Sequence, residues 1–143
     1  MAAVSVHLQK IKEHCEEIED AIKLGVENRA ATIAFHTSAC SVDLLEAYLH
    51  KAGKIPIGAQ IKHDWFKKPL PTQKILPLAD RKLSVDFPGK EEIFAQLYEI
   101  EVRRNKLIYG KPAEADVDVL LTAFNKVKAM LLLALAKEGV DVA

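Results

Sequence analysis

Five of the six prolines fall between residues 53 and 90: Pro56, Pro69, Pro71, Pro77 and Pro88. Proline has no backbone N–H, and its ring clashes with the preceding helical turn, so no long helix runs through this segment. The chain is thereby divided into long stretches on either side and a connection of short pieces. One turn of helix is expected around Ala59 to Phe66 and another around Ile75 to Leu83. A connection this long in a small domain is often functional or mobile. It carries the single tryptophan, Trp65, beside His63, Asp64, Lys67 and Lys68. Trp65 and Phe66 are expected to pin the connection to the rest of the fold; a base-stacking platform is the alternative.

The flanks read as helices. In the first, residues 4 to 24, Val4, Leu8, Ile11, Cys15, Ile18 and Ile22 step by four and three, and Gly25 stops it. His7 and His14 share a face but lie roughly 10 Å apart along the axis, too far to ligate one metal ion directly. They read as a solvated surface pair. Asn28 can cap a second helix from Arg29 to Ala52. Ala31, Ala34, Ser38 and Ser41 give it a small-residue edge, and Ile33, Phe35, Leu44, Leu45, Tyr48 and Leu49 supply bulk. His36 in this region reads as a hydrogen-bonded core histidine. A third helix begins near Gly89. A fourth opens at Pro112 to Asp116 and carries the stripe Val117, Leu120, Leu121, Phe124, Val127, Leu131 and Leu135. Met130 to Ala134 is apolar all round, which suggests a partner subunit as well as a core. These patterns predict one all-α domain over residues 1–143. Its architecture is an antiparallel four-helix up-and-down bundle with a long proline-containing connection between helices 2 and 3.

Twenty basic residues balance twenty acidic ones, so no global field draws in nucleic acid and any such binding needs a local patch. Cys15 and Cys40 are too few for a disulfide framework, and no spacing suggests zinc. The N-terminus lacks a signal-peptide core, and the longest apolar run, Ala129 to Ala136, is too short to span a bilayer. No membrane association, metal or cofactor is expected, and a reducing cytoplasmic location is the default.

The third helix, EEIFAQLYEIEVRRNKLIYGKP from Glu91 to Pro112, carries the chemistry. Ile93, Leu97, Ile100, Leu107 and Ile108 form an apolar face, and spacing puts Arg104 on or beside it. A guanidinium there is costly without a partner or a job. Glu101 precedes it by three residues, within pairing reach, and Glu99 precedes Arg103 by four. Arg104, Asn105 and Tyr109 are the candidate binding residues. Arg103, Lys106, Lys111, Glu101, His36 and His63 are the weaker candidates.

The segment Arg104 to Tyr109 resembles the signature of the HEPN family of small helical domains, in which ribonucleases carry Arg, a polar residue, a few more positions, then His. Arg104 and Asn105 match its start, and Tyr109 stands where the shortest spacing places His. Ala34 to Lys54 is similar to the family's second helix, and Ile61 to Phe66 resembles a His-containing segment that follows it. The resemblance implies a homodimer with the two Arg motifs facing a shared cleft, and often a nucleotidyltransferase-type partner. It also implies metal-independent RNA cleavage, with Arg steadying the phosphorane and His moving the proton. A phenol is a poor base at neutral pH, so catalysis is not expected at this position. The expectation is a non-catalytic module for a nucleotide or RNA phosphate, or for a protein partner. The alternatives are an endoribonuclease of toxin or defence type (a toxin–antitoxin role, for example) and a purely structural interaction domain. Tyr109→His would restore the motif's spacing, provided Gly110 bends the chain.

Overall fold

The apolar stripe of helix α1, Ala2–Leu24, turns Ile11, Ile18 and Ala21 into the interior. Ile22, assigned to that stripe by its spacing, is exposed, and Ala21 takes the interior position instead. The structure, a computed structural model, describes residues 2–56, 58–111 and 113–142. Gly25 ends α1 at φ +107°, a conformation that strains any residue with a Cβ. A single 3-10 turn, Val26–Asn28, then leads into α2, Ala30–Lys51. Asn28 therefore closes that turn and does not cap α2. Arg29 takes the cap position without a side-chain hydrogen bond.

Helix α2 is the centre of the fold, packing on α1, α4 and α5. Ile33, Ala34, Cys40, Leu44, Leu45, Ala47 and Leu49 have no exposed surface. Thr37 and Ser41 are buried with them, and each hydroxyl donates to the carbonyl four residues earlier at 2.7 Å. Neither hydroxyl is thus left unpaired in the interior. Two of the sequence expectations fail on this helix: Ala31 and Phe35 face outward.

The connection contains a 3-10 turn, His63–Phe66, and a short helix α3, Leu78–Lys82, each inside its expected window. Phe66, 1% exposed, is wedged edge-on against Phe94 at 5.2 Å and Tyr98 at 5.8 Å. Trp65 packs on the same core with the Lys82 ammonium 5.3 Å from its ring, so these two rings pin the connection. Farther on, Lys90 Nζ donates to the carbonyls of Leu83 at 2.8 Å and Val85 at 2.6 Å.

Helices α4, Lys90–Tyr109, and α5, Glu114–Lys137, complete an all-helical bundle with no strand among the described residues. Pro112, expected to open the last helix, lies outside the described residues. Val117, Leu120, Phe124, Val127, Leu131 and Leu135 are buried, and α5 packs on α2 and α4. Leu133 is exposed, with Met130, Leu132 and Ala134 partly covered. By length and mean hydropathy, 1.7 over an 18-residue window, α5 is also apolar enough to cross a bilayer, a test that core helices pass as well. Helix α1 packs along α2 alone among the helices and faces α5 across a groove of about 420 Å³.

Cys15 lines that groove and meets Cys40 of α2, with the sulfurs 3.9 Å apart. The Cys40 hydrogen bond outweighs the cost of burial and, with Lys128 nearby, lowers the Cys15 thiol to about 6. The same bond and burial push Cys40 up. Cys15 is therefore a thiolate above this value and loses its charge as pH falls through it. Iodoacetamide is expected to alkylate Cys15 and spare Cys40, with a rate half-maximal near pH 6 when followed by mass spectrometry. A rate that rises only near pH ~8.5, the ordinary thiol range, would show an unactivated sulfur.

Candidate functional site

Leu97, Ile100 and Leu107 turn the inner face of α4 toward the core and carry Glu101 and Arg104 with them, at 3% and 9% exposure. Charged groups in such places need partners. Glu101 has two: Oε1 accepts from His63 Nδ1 at 2.8 Å, and Oε2 accepts from Asn105 Nδ2 at 3.3 Å. Asn105 Oδ1 in turn accepts from Arg104 Nη1 at 3.1 Å. The four side chains form one chain, His63–Glu101–Asn105–Arg104, with the Asn105 amide orienting both neighbours. His63 arrives from the connection because Phe66 anchors its turn. The carboxylate can only accept, so His63 carries a proton on Nδ1; in the neutral ring Nε2 is then an acceptor, on a side chain 41% exposed.

Arg104 forms no ion pair among the described residues; the direct pair with Glu101 is replaced by the Asn105 bridge. Its side-chain hydrogen bond among the described residues uses one of five N–H donors. None of its nitrogens is a buried atom lacking a partner, so the remaining donors reach solvent. Arg103 is committed elsewhere: it donates to Glu99 at 2.9 Å and to Asp116 at 2.5 Å, tying α4 to α5. Lys106, Lys111 and Tyr109 are exposed, Tyr109 at 79%. The chain stays helical through Tyr109, which puts it about 140° around the axis from Arg104. Gly110 ends α4 at φ −106°, not in the left-handed region, and a Cβ there would lie 2.7 Å from the Lys106 carbonyl oxygen. Close approach therefore demands this glycine, without bending Tyr109 toward Arg104.

His36 joins the other side of the molecule, with its Nδ1 2.8 Å from His14 Nδ1. Burial, with His14 beside it, lowers its pKa. His7 and His14 are not solvated as expected but docked on α2. His7 Nδ1 donates to Asp43 Oδ1 at 2.8 Å and its Nε2 touches Glu46 Oε2, while His14 Nε2 lies 3.5 Å from Asp43 Oδ2. His50 stacks on His7 with ring centroids 6.0 Å apart, so four of the five histidines line the α1–α2 seam. Asp43, Glu46 and His50 were missed in the sequence, although steps of three and four place them on one face of α2. No protein-family model, curated protein or solved structure matches this chain.

Proposed function

We propose that the chain is a HEPN-like antiparallel four-helix up-and-down bundle, acting as a homodimer in the cytoplasm, that binds a nucleotide or RNA phosphate at Arg104. The supporting observation is the state of that guanidinium: nearly buried, held by one neutral hydrogen bond, unpaired among the described residues and open to solvent on its other donors. An anion satisfies those donors in the fork geometry that arginine and phosphate share. Lys106 and Lys111 add charge at the same end of α4. Leu133 and Val102 leave apolar surface for a second copy. A nucleotidyltransferase-type partner would present an acidic side chain to the same donors.

The test is a titration of labelled single-stranded RNA and of nucleotides, on wild type and Arg104→Ala, across a salt series. Binding is expected to weaken steeply with salt and to vanish in the variant. Salt-insensitive binding, or binding that survives in Arg104→Ala, would refute the phosphate reading. Loss of thermal stability or dimer affinity with no ligand effect would make Arg104 an interface residue.

A second reading is favoured by His63 alone: a metal-independent endoribonuclease. His63 Nε2 would accept the proton of a ribose 2′-hydroxyl as its oxygen attacks the adjacent phosphorus. The 5′-oxygen would leave, taking a proton from the imidazolium, and Arg104 would bind the phosphorane oxygens. The products would be a 2′,3′-cyclic phosphate and a 5′-hydroxyl. Glu101 would hold the imidazole in the tautomer this requires.

A further inference from the structure

We propose that His7, Glu46 and His50 bind one divalent transition-metal ion of the zinc class, which clasps α1 to α2 and to the start of the proline-rich connection. One ligand atom from each of His7, Glu46 and His50 lies within 4.8 Å of the others at the seam, with His7 Nε2 against Glu46 Oε2 and His50 Nδ1 buried without a partner. This site is separate from the Arg104 network and does not rest on the function proposed for it.

Proton accounting carries the argument. His50 Nε2 is 3.1 Å from the carbonyl oxygen of Ala59. A carbonyl only accepts, so the His50 proton is on Nε2 and Nδ1 holds a lone pair. That Nδ1 is the one buried side-chain nitrogen or oxygen without a partner among the described residues. His7 Nδ1 donates to Asp43, so neutral His7 also presents a lone pair, at Nε2, directly against Glu46 Oε2. The three-residue cluster thus holds acceptors on all three members, and no hydrogen bond among the described residues places a donor on His50 Nδ1. A second proton on His7 would satisfy Glu46, as an imidazolium between two carboxylates, but would leave His50 Nδ1 orphaned. A cation satisfies all three.

The outer partners are those of a built metal site. Asp43 holds the far nitrogen of His7, the Ala59 carbonyl holds the far nitrogen of His50, and the Ile61 N–H holds Glu46 Oε1 at 2.6 Å. Such second contacts fix the tautomer and aim of each ligand. Two imidazoles and one carboxylate suit zinc and its transition-metal neighbours; calcium and magnesium favour oxygen donors throughout. Tetrahedral zinc sets ligand atoms roughly 3.3 Å apart, so side-chain shifts of about 1 Å close the site, with water in the fourth position. Ala59 and Ile61 belong to the connection, so the ion fastens three parts of the chain at once.

The experiment uses tag-free protein of residues 1–143, stripped with chelator and titrated with zinc chloride, with cobalt(II) as the spectroscopic probe. One equivalent is expected to bind, to raise the thermal midpoint by several degrees, and to show no thiolate-to-cobalt charge transfer. Glu46→Gln keeps an oxygen for the Ile61 N–H but loses the charge, and is expected to bind roughly 100-fold more weakly. Asp43→Asn should lose about 10- to 100-fold, and Cys15→Ser nothing. His50→Gln provides the same test should Glu46→Gln fail to fold. A wild type that takes up no zinc overturns the proposal. So does unchanged affinity in both Glu46→Gln and His50→Gln, or affinity lost in Cys15→Ser.

Discussion

Phe66→Ala is expected to destabilise the fold by about 3–5 kcal/mol, as for other fully buried aromatic side chains. The ring is enclosed by Phe94 and Tyr98, both anchored on α4, so little can collapse into the space it leaves. Edge-to-face pairing adds to the loss. The consequence reaches the site, because the 3-10 turn that Phe66 anchors also carries His63. Urea unfolding measures the first effect, and the His63 imidazole resonances report whether the contact with Glu101 survives. Phe66→Leu keeps much of the apolar volume and should lose markedly less. A loss below about 1 kcal/mol for the alanine variant would show that other contacts hold the connection.

Under the ribonuclease reading, His63→Ala is expected to lower metal-independent RNA cleavage by roughly 10²- to 10⁴-fold, the usual worth of a positioned acid–base group. Tyr109→His is expected to add nothing to it. Sequence spacing made residue 109 the natural place to restore an imidazole. The structure shows α4 still helical there, with Tyr109 turned into solvent away from Arg104. His63 instead meets the same network through Glu101. The measurement is the yield of 2′,3′-cyclic phosphate ends on single-stranded RNA in the presence of chelator. Absence of such ends in wild type removes the ribonuclease reading. Cleavage retained by His63→Ala would assign the proton to another group, and a gain from Tyr109→His would place that residue within reach of the phosphate.

The proline-rich interval and the stripes of its flanks made the all-helical fold legible in the sequence, because both are local properties of consecutive residues. Errors followed where tertiary packing overrode local pattern. Ile22, in the apolar stripe of α1, and Phe35, read as bulk on α2, both stay largely exposed, and a 3-10 turn displaced the cap expected at Asn28. Within α4 the reading was close: Arg104 is on the inner face, Glu101 beside it, and Glu99 on Arg103. Asn105 as the bridge between Arg104 and Glu101 was not legible, because a rotamer decides it. Nor was His63 on Glu101, a contact across 38 residues. The same holds for His7, whose ligand-like surroundings arise from the register of α1 on α2. The D-x2-E-x3-H pattern of Asp43, Glu46 and His50 was visible on one face of α2 and had no partner until α1 was docked.

Helix α1 is attached along a single seam, whereas α2, α4 and α5 each contact the other two. Such an element behaves like a door on one hinge. It can swing away while the three-helix remainder keeps its mutual contacts, and the free energy of that opening is a local quantity below the global one. The latch consists of Ile11, Ile18 and Ala21 together with the histidine contacts to Asp43 and Glu46. Anything that tightens or loosens the histidine contacts therefore sets how often the apolar face of α2 meets water.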